Sequence, residues 1–309
     1  MGDFTFGFEI FEDDSNIDTS SNVKDHRGPD DITLRPAKEI YIPYETRNEE
    51  RRVVCVSCGD VNLCYLHPQD VEGMIEEKSD IKEAITTHSD LLPSVYEGGL
   101  KVWECSLDLV QYLQDLDPIS FSGQTILELG CGAGLPGIYT LMKGATVHFQ
   151  DYNEEVLELL TIPNVQLNTI PEVYKEKCHF LAGDWSLVQD LLMQEGTGIF
   201  SLVLLFLISC MCITCSRYDV ILTSETIYSL DSQPRLYNII RSLLKPNGKV
   251  FLAAKTHYFG VGGGTRQFED FVREKGEFEI ESIKVISQGV RREILEMRFI
   301  QPENKGAKT

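Results

Sequence analysis

The stretch ILELGCGAGLPGI, residues 126–138, decides the fold. Its first four residues are a short apolar run ending in Glu128-Leu129, and three glycines at alternate positions follow: Gly130, Gly132 and Gly134. An apolar strand that runs into glycines and then into a helix from Leu135 is the start of a strand–turn–helix unit. Glycines let the backbone pass close to a ligand, and the helix start presents free N–H groups. Gly132, Gly134 and Gly137 also spell G-x-G-x-x-G, so a dinucleotide site has to be weighed. Glu128 separates the two readings. A carboxylate at the strand end would repel a pyrophosphate, whereas it suits the ammonium end of S-adenosylmethionine.

Outward from this turn the chain alternates. Short apolar runs TILELG, ATVHFQD, CHFLAGD, YDVILTS and GKVFLAA are separated by stretches at helical spacing. The helical stretches are Glu154–Leu160, Ser186–Gln194 and Ser232–Leu244, with another from Trp103 to Leu116 ahead of the first strand. That alternation predicts a mostly parallel α/β sheet covered on both faces. FEIESIKVIS and REILEMRFI leave no room for a helix between them and read as an antiparallel edge pair. In such sheets ligands sit beyond the carboxyl ends of the strands, where strand order reverses. The candidate residues stand there. Asp151 ends the second strand and can accept ribose hydroxyls, or can cap the helix that follows. Gly183-Asp184-Trp185 ends the third, with a carboxylate for an adenine amino group and an indole to cover the ring. Ser224-Glu225-Thr226-Ile227-Tyr228 ends the fourth, facing the place of methyl transfer.

Taken together, YEGGLKVWECSLDL (96–109), ILELGCGAGLPGI (126–138), VHFQDYN (147–153), GDW (183–185), YDVILTSETIY (218–228) and KTHYFGVGGG (255–264) resemble the histidine protein methyltransferases. The resemblance covers about residues 60–300. It implies a Rossmann-like, seven-stranded class I methyltransferase fold that uses S-adenosylmethionine. It also implies methylation of a histidine in a large-subunit ribosomal protein, with the enzyme in the cytoplasm and the nucleus or nucleolus. By the same resemblance Trp103, Glu104, Gly130, Gln150, Asp151, Tyr152, Trp185 and Ser224 line the cofactor pocket. Glu225 and Tyr228 also resemble the acidic-x-x-aromatic motif of related protein-lysine methyltransferases, so lysine stays open as the acceptor. Neutral imidazole already has a lone pair near pH 7 and needs alignment more than a strong base. Glu225 is the candidate to align it, with Tyr228, His257 and Tyr258 as substrate-side residues. A nicotinamide oxidoreductase and a non-catalytic, S-adenosylmethionine-binding ribosome-assembly module are the rival classes. Glu128 counts against the first.

Composition bounds the partners. A net charge of -20 argues against direct nucleic-acid binding and suits a basic protein substrate. The first fifty residues, acidic and rich in Ser and Asn, read as a mostly disordered segment ahead of a 51–300 domain and a 301–309 tail. No signal peptide is expected from MGDFTFGFEI. Nine irregularly spaced cysteines point to a reducing compartment. Arg52–Leu66 reads as a hairpin around Gly59-Asp60. It contains Cys55, Cys58 and Cys64, with His67 just after. That spacing is short for a zinc finger, and small buried side chains are expected rather than a metal. The uncharged run Ile199–Cys215 does not fit the alternation. Three readings compete: a membrane span, which would split the sheet, a buried or surface-lying insertion, and a translated intron remnant, which is preferred. A monomer with no membrane contact is expected.

Overall fold

A computed structural model describes residues 34–42, 51–76, 79, 81–87, 89–116, 121–195 and 218–301. In chain order the first elements are β1 (Lys38–Ile40), β2 (Val53–Cys58), β3 (Val61–Leu66), α1 (Pro68–Glu72), α2 (Lys82–Thr86) and α3 (Glu104–Asp115). Then come β4 (Thr125–Leu129), α4 (Leu135–Met142), β5 (Thr146–Asp151), α5 (Glu154–Val156), a π turn (Leu157–Thr161), α6 (Ile162–Asn168) and α7 (Pro171–Lys177). The described chain continues with β6 (Cys178–Ala182), α8 (Trp185–Glu195), β7 (Tyr218–Ser224), α9 (Gln233–Leu243) and β8 (Leu244–Lys255). It closes with α10 (Thr265–Lys275), β9 (Phe278–Ile286) and β10 (Arg292–Phe299).

Eight strands form one sheet in the order β1-β6-β5-β4-β7-β8-β10-β9. β4 through β8 run parallel, and β10 lies antiparallel between β8 and β9, as the apolar pattern requires. Both faces are covered, which is why these strands read as continuous apolar runs. Ile126, Val220, Leu222 and Phe251 pack on one side with Leu109, Ile138 and Val165 from the helices. Leu127, Leu129, Ile221 and Leu252 pack on the other with Val188, Leu236 and Phe268. The chain leaves β4 toward β5 and returns to β7 on β4's other side. That reversal opens a crevice at the carboxyl ends of β4 and β7.

Two differences from the sequence reading have local causes. β1 falls in the segment expected to be disordered, yet it pairs antiparallel with β6 and buries Ile40. Three residues are too few for any periodicity to show, and the pairing is supplied by the sheet edge. The hairpin β2–β3 forms as expected, but Cys55 and Cys64 sit directly opposite and are disulfide-bonded, while Cys58 is buried. They are therefore not a set of small buried thiols. No cluster of three metal-ligating side chains occurs among the described residues. Two asparagines one helical turn apart on α6 dock the hairpin. Asn164 accepts the Leu66 N–H at 2.8 Å, and Asn168 accepts that of Cys64 at 2.8 Å. The run 199–215 and residues 1–33 lie outside the described residues. Among the described residues no helix is long and apolar enough to cross a membrane.

Candidate active site

A cleft of about 880 Å³ opens over the ends of β4, β5, β6 and β7. Of the residues singled out in the sequence, Trp103, Gly130, Gly132, Asp151, Tyr152, Gly183, Asp184, Trp185, Ser224, Glu225 and Tyr228 line it. Its floor is the turn after β4. Gly130 and Gly132 have φ of 61° and 49°, and a Cβ on Gly130 would lie 2.6 Å from the Thr226 methyl. Only glycine holds this backbone so close to its neighbours. The end of β5 fixes the turn. Asp151 accepts the Gly132 N–H at 2.9 Å, and Gln150 accepts that of Gly130 at 3.2 Å. From behind, the Thr161 hydroxyl donates to the Gly132 carbonyl at 2.6 Å and the Asn164 amide to that of Ala133 at 2.9 Å. Thr161 ends the π turn, which Pro163 explains: proline lacks an N–H and clashes with the preceding turn, so the helix widens there.

Gln150 is fully buried and does not reach the cleft. It organises the wall instead, accepting the Trp185 indole N–H at 2.8 Å and donating to the Gly183 carbonyl at 2.9 Å. Asp151 is buried, and that burial pushes its carboxyl up to about 6. Tyr152 donates to the Ser94 carbonyl at 2.9 Å, with the Arg35 guanidinium 5.4 Å above its ring. Arg35 just precedes β1, so the unexpected strand also closes one side of the site. Trp103 donates to the Gly98 carbonyl at 3.0 Å, with the Lys101 and Lys255 ammonium groups 4.9 and 5.2 Å from its ring.

Four further placements correct the sequence reading. Glu128 is buried and accepts the Gly137 N–H at 2.9 Å, bracing α4 instead of meeting a ligand. Burial holds its carboxyl well above the usual range. Its side chain points to the α4 face because side chains alternate along β4. Gly134 is the left-handed N-cap of α4 and lies behind the cleft wall. Glu104 opens α3 but turns outward, 63% exposed, to pair with Arg292 at 3.0 Å. His257 is exposed, edge-on to Phe259, and off the cleft. In addition, Asp184 lines the cleft with both oxygens engaged, by Arg235 at 2.8 Å and by the Ser186 N–H at 2.9 Å, so an adenine amino group would have to compete.

The sequence reading missed Glu97, Gly98 and Gly99, which line the opposite wall. Their signal was the YEGG of the first quoted motif, where no periodicity assigns a role. Glu97 accepts the Tyr228 hydroxyl and the Ser94 N–H, and burial raises its carboxyl above the ordinary value. Glu225, 8% exposed, also lines the cleft, the end of β7 having turned into the left-handed region at φ 59°. A non-glycine residue there is uncommon, and such strain concentrates at functional sites. Its Oε2 accepts the Tyr258 hydroxyl, and its buried Oε1 has the Lys255 ammonium 3.8 Å away but no hydrogen-bond partner within normal distance among the described residues, with the buried Cys105 thiol beside the carboxylate.

Comparison with known proteins decides the family. Residues 105–305 match the family described as Methyltransferase domain. The chain is 38% identical over 295 residues to histidine protein methyltransferase 1 homolog of Rattus norvegicus, covering 87% of this chain and 76% of that protein. The Bos taurus homolog is 37% identical over 308 residues, covering 92% and 78%. The Dictyostelium discoideum homolog is 42% identical over 217 residues, covering 70% and 62%. The chain belongs to the histidine protein methyltransferases.

S-adenosylmethionine is accordingly the methyl donor of this methyltransferase. The residues fit that group. The cleft has a glycine cradle that side chains would fill, a buried carboxylate at the β5 end for ribose hydroxyls, and the Trp185 indole for a flat ring.

Proposed function

We propose that this methyltransferase modifies a ring nitrogen of a histidine in a basic large-subunit ribosomal protein, with Glu225 accepting the ring's other N–H. The observation that carries the reading is the Glu225 Oε1 atom, buried beside the cleft and without a hydrogen-bond partner among the described residues. A buried carboxylate oxygen left this way costs free energy unless a ligand donor completes it. S-adenosylmethionine supplies an electrophilic methyl group on a sulfonium centre. Asp151, the Gly130–Gly132 turn and Trp185 are the residues that would hold it.

The protein's own part is alignment and electrostatics. A neutral imidazole has an ordinary pKa of about 6.5 and needs no strong base to expose its lone pair. By accepting one N–H, Glu225 selects the tautomer whose other nitrogen faces the methyl group. The same carboxylate stabilises the positive charge that grows on the ring as the bond forms. Tyr228, held by Glu97 and tilted 71° to Tyr258 at 6.3 Å, forms an aromatic wall against which a flat ring can rest.

The target protein class follows from the family resemblance and from the charge of -20, which attracts a basic chain before assembly buries it. Such substrates are met in the cytoplasm and nucleolus, and we place the enzyme there. The test is labelled S-adenosylmethionine with purified large-subunit ribosomal proteins, followed by mass spectrometry of the modified residue. Methyl-histidine is the expected product. Methyl-lysine would overturn the acceptor, and no labelled ribosomal protein would overturn the substrate class.

A further inference from the structure

We propose that Tyr258 is the positioning residue for Glu225: its hydroxyl occupies one carboxylate oxygen and so dedicates the other to the acceptor ring. The inference rests on the reading of Glu225 above and extends it to a residue and a loop that the reading leaves without a task.

The geometry is specific to Tyr258. Its hydroxyl donates to Glu225 Oε2 and accepts the backbone N–H of Lys255 at 3.3 Å. The Lys255 ammonium lies 3.8 Å from Oε1, beyond hydrogen-bond distance, so that oxygen is oriented but still available. Burial, with Glu225 alongside, pushes the Tyr258 hydroxyl far above the range in which it could ionise. It therefore remains a donor at any working pH. A carboxylate with one fixed donor on Oε2 cannot rotate freely, and its remaining lone pairs keep one direction.

The loop after β8 exists to deliver this hydroxyl. Tyr258 donates its N–H to the Gly263 carbonyl at 3.0 Å and accepts those of Gly262 and Val261 at 3.1 and 3.3 Å. Gly263 in turn donates to the Tyr228 carbonyl at 2.9 Å, tying the loop to the segment that carries Glu225. A Cβ on Gly263 would lie 2.2 Å from the Ile227 carbonyl oxygen, so the loop can press onto that backbone only as glycine. This is a physical reason for the glycine run that follows His257-Tyr258. His257 and Phe259, the neighbours of Tyr258, both stand out in solvent, leaving the tyrosine alone to reach inward.

The experiment compares Tyr258→Phe, Glu225→Gln and the double variant, with labelled S-adenosylmethionine and purified large-subunit ribosomal proteins. Tyr258→Phe should lower kcat by about tenfold, within the range of one hydrogen bond to a charged group, with KM for the protein substrate little changed. Calorimetric affinity for S-adenosylmethionine should stay at its wild-type value, while the melting temperature falls by a few degrees because a buried hydrogen bond is lost from the folded state. In the Glu225→Gln background the same substitution should have almost no further effect, because it acts through Glu225. Multiplying losses, or a wild-type kcat in Tyr258→Phe, would overturn the proposal. So would lost cofactor affinity in both backgrounds, the signature of a mere fold brace. If Glu225→Gln alone turned over at the full rate, the reading of Glu225 would fail instead.

Discussion

The two walls of the cleft are built on opposite principles. At the ends of β4, β5 and β6 positive φ falls on glycines, and both oxygens of Asp151 and Asp184 are engaged by protein donors. After β7 the left-handed residue is Glu225, which lines the cleft and has one oxygen without a hydrogen-bond partner among the described residues. In the first wall both carboxylates are held by protein donors before any ligand arrives, and the turn is shaped in advance for one small molecule. The second holds strain and unmet polarity, which a donor from a protein substrate can relieve. On the proposed function, the preorganised side serves cofactor binding and the unsatisfied group serves acceptor alignment.

Substitutions on each side test that separation. The largest effect should come from Glu225→Gln, which keeps the shape but loses the charge facing the ring. Turnover should fall about 10²-fold with cofactor affinity spared, measured by single-turnover transfer and calorimetry. Equal losses in both readouts would erase the distinction between the walls. Next, Asp151→Ala should weaken S-adenosylmethionine binding by about 1.5–3 kcal/mol, if ribose hydroxyls engage the carboxylate. Undiminished calorimetric affinity would remove Asp151 from the site.

A smaller effect should appear with pH. Asp151 titrates at about 6, raised by burial, so it is ionised above that pH and protonated below it. Protonation removes the acceptor. Cofactor affinity should therefore be flat above about pH 7 and fall by up to about tenfold per unit below pH 6. In Asp151→Asn the fall should be shallower, and an unchanged slope would assign it to other groups. The smallest effect is expected at Glu104, which faces solvent and pairs with Arg292. Glu104→Ala should leave cofactor affinity within about twofold, since exposed ion pairs contribute little. A larger loss would return Glu104 to the cofactor wall.

Much of this molecule was legible before any coordinates. The alternation from Thr125 onward, the Gly130-x-Gly132-x-Gly134 turn, Asp151 and the Gly183-Asp184-Trp185 corner are local patterns, read along a few residues. Strand periodicity and strand-end position follow from backbone geometry, which sequence spacing reports directly. The short motif 255–264 was also visible, but only as a likeness, because the reach of Tyr258 depends on where β8 leaves the loop.

What the sequence determined by itself was the α/β architecture, the end of the sheet that carries the site, and the family. Tertiary structure alone decided which face each side chain takes. Glu128 braces α4 and Gln150 organises a wall, although both occupy strand ends that read as ligand positions. Tyr258 and not His257 meets Glu225, and β1 completes an edge that three residues could never announce. Each of these outcomes is settled by contacts between segments far apart in the chain. Composition and periodicity describe neighbours in sequence, and partners across a sheet or a loop are fixed only when the packing closes.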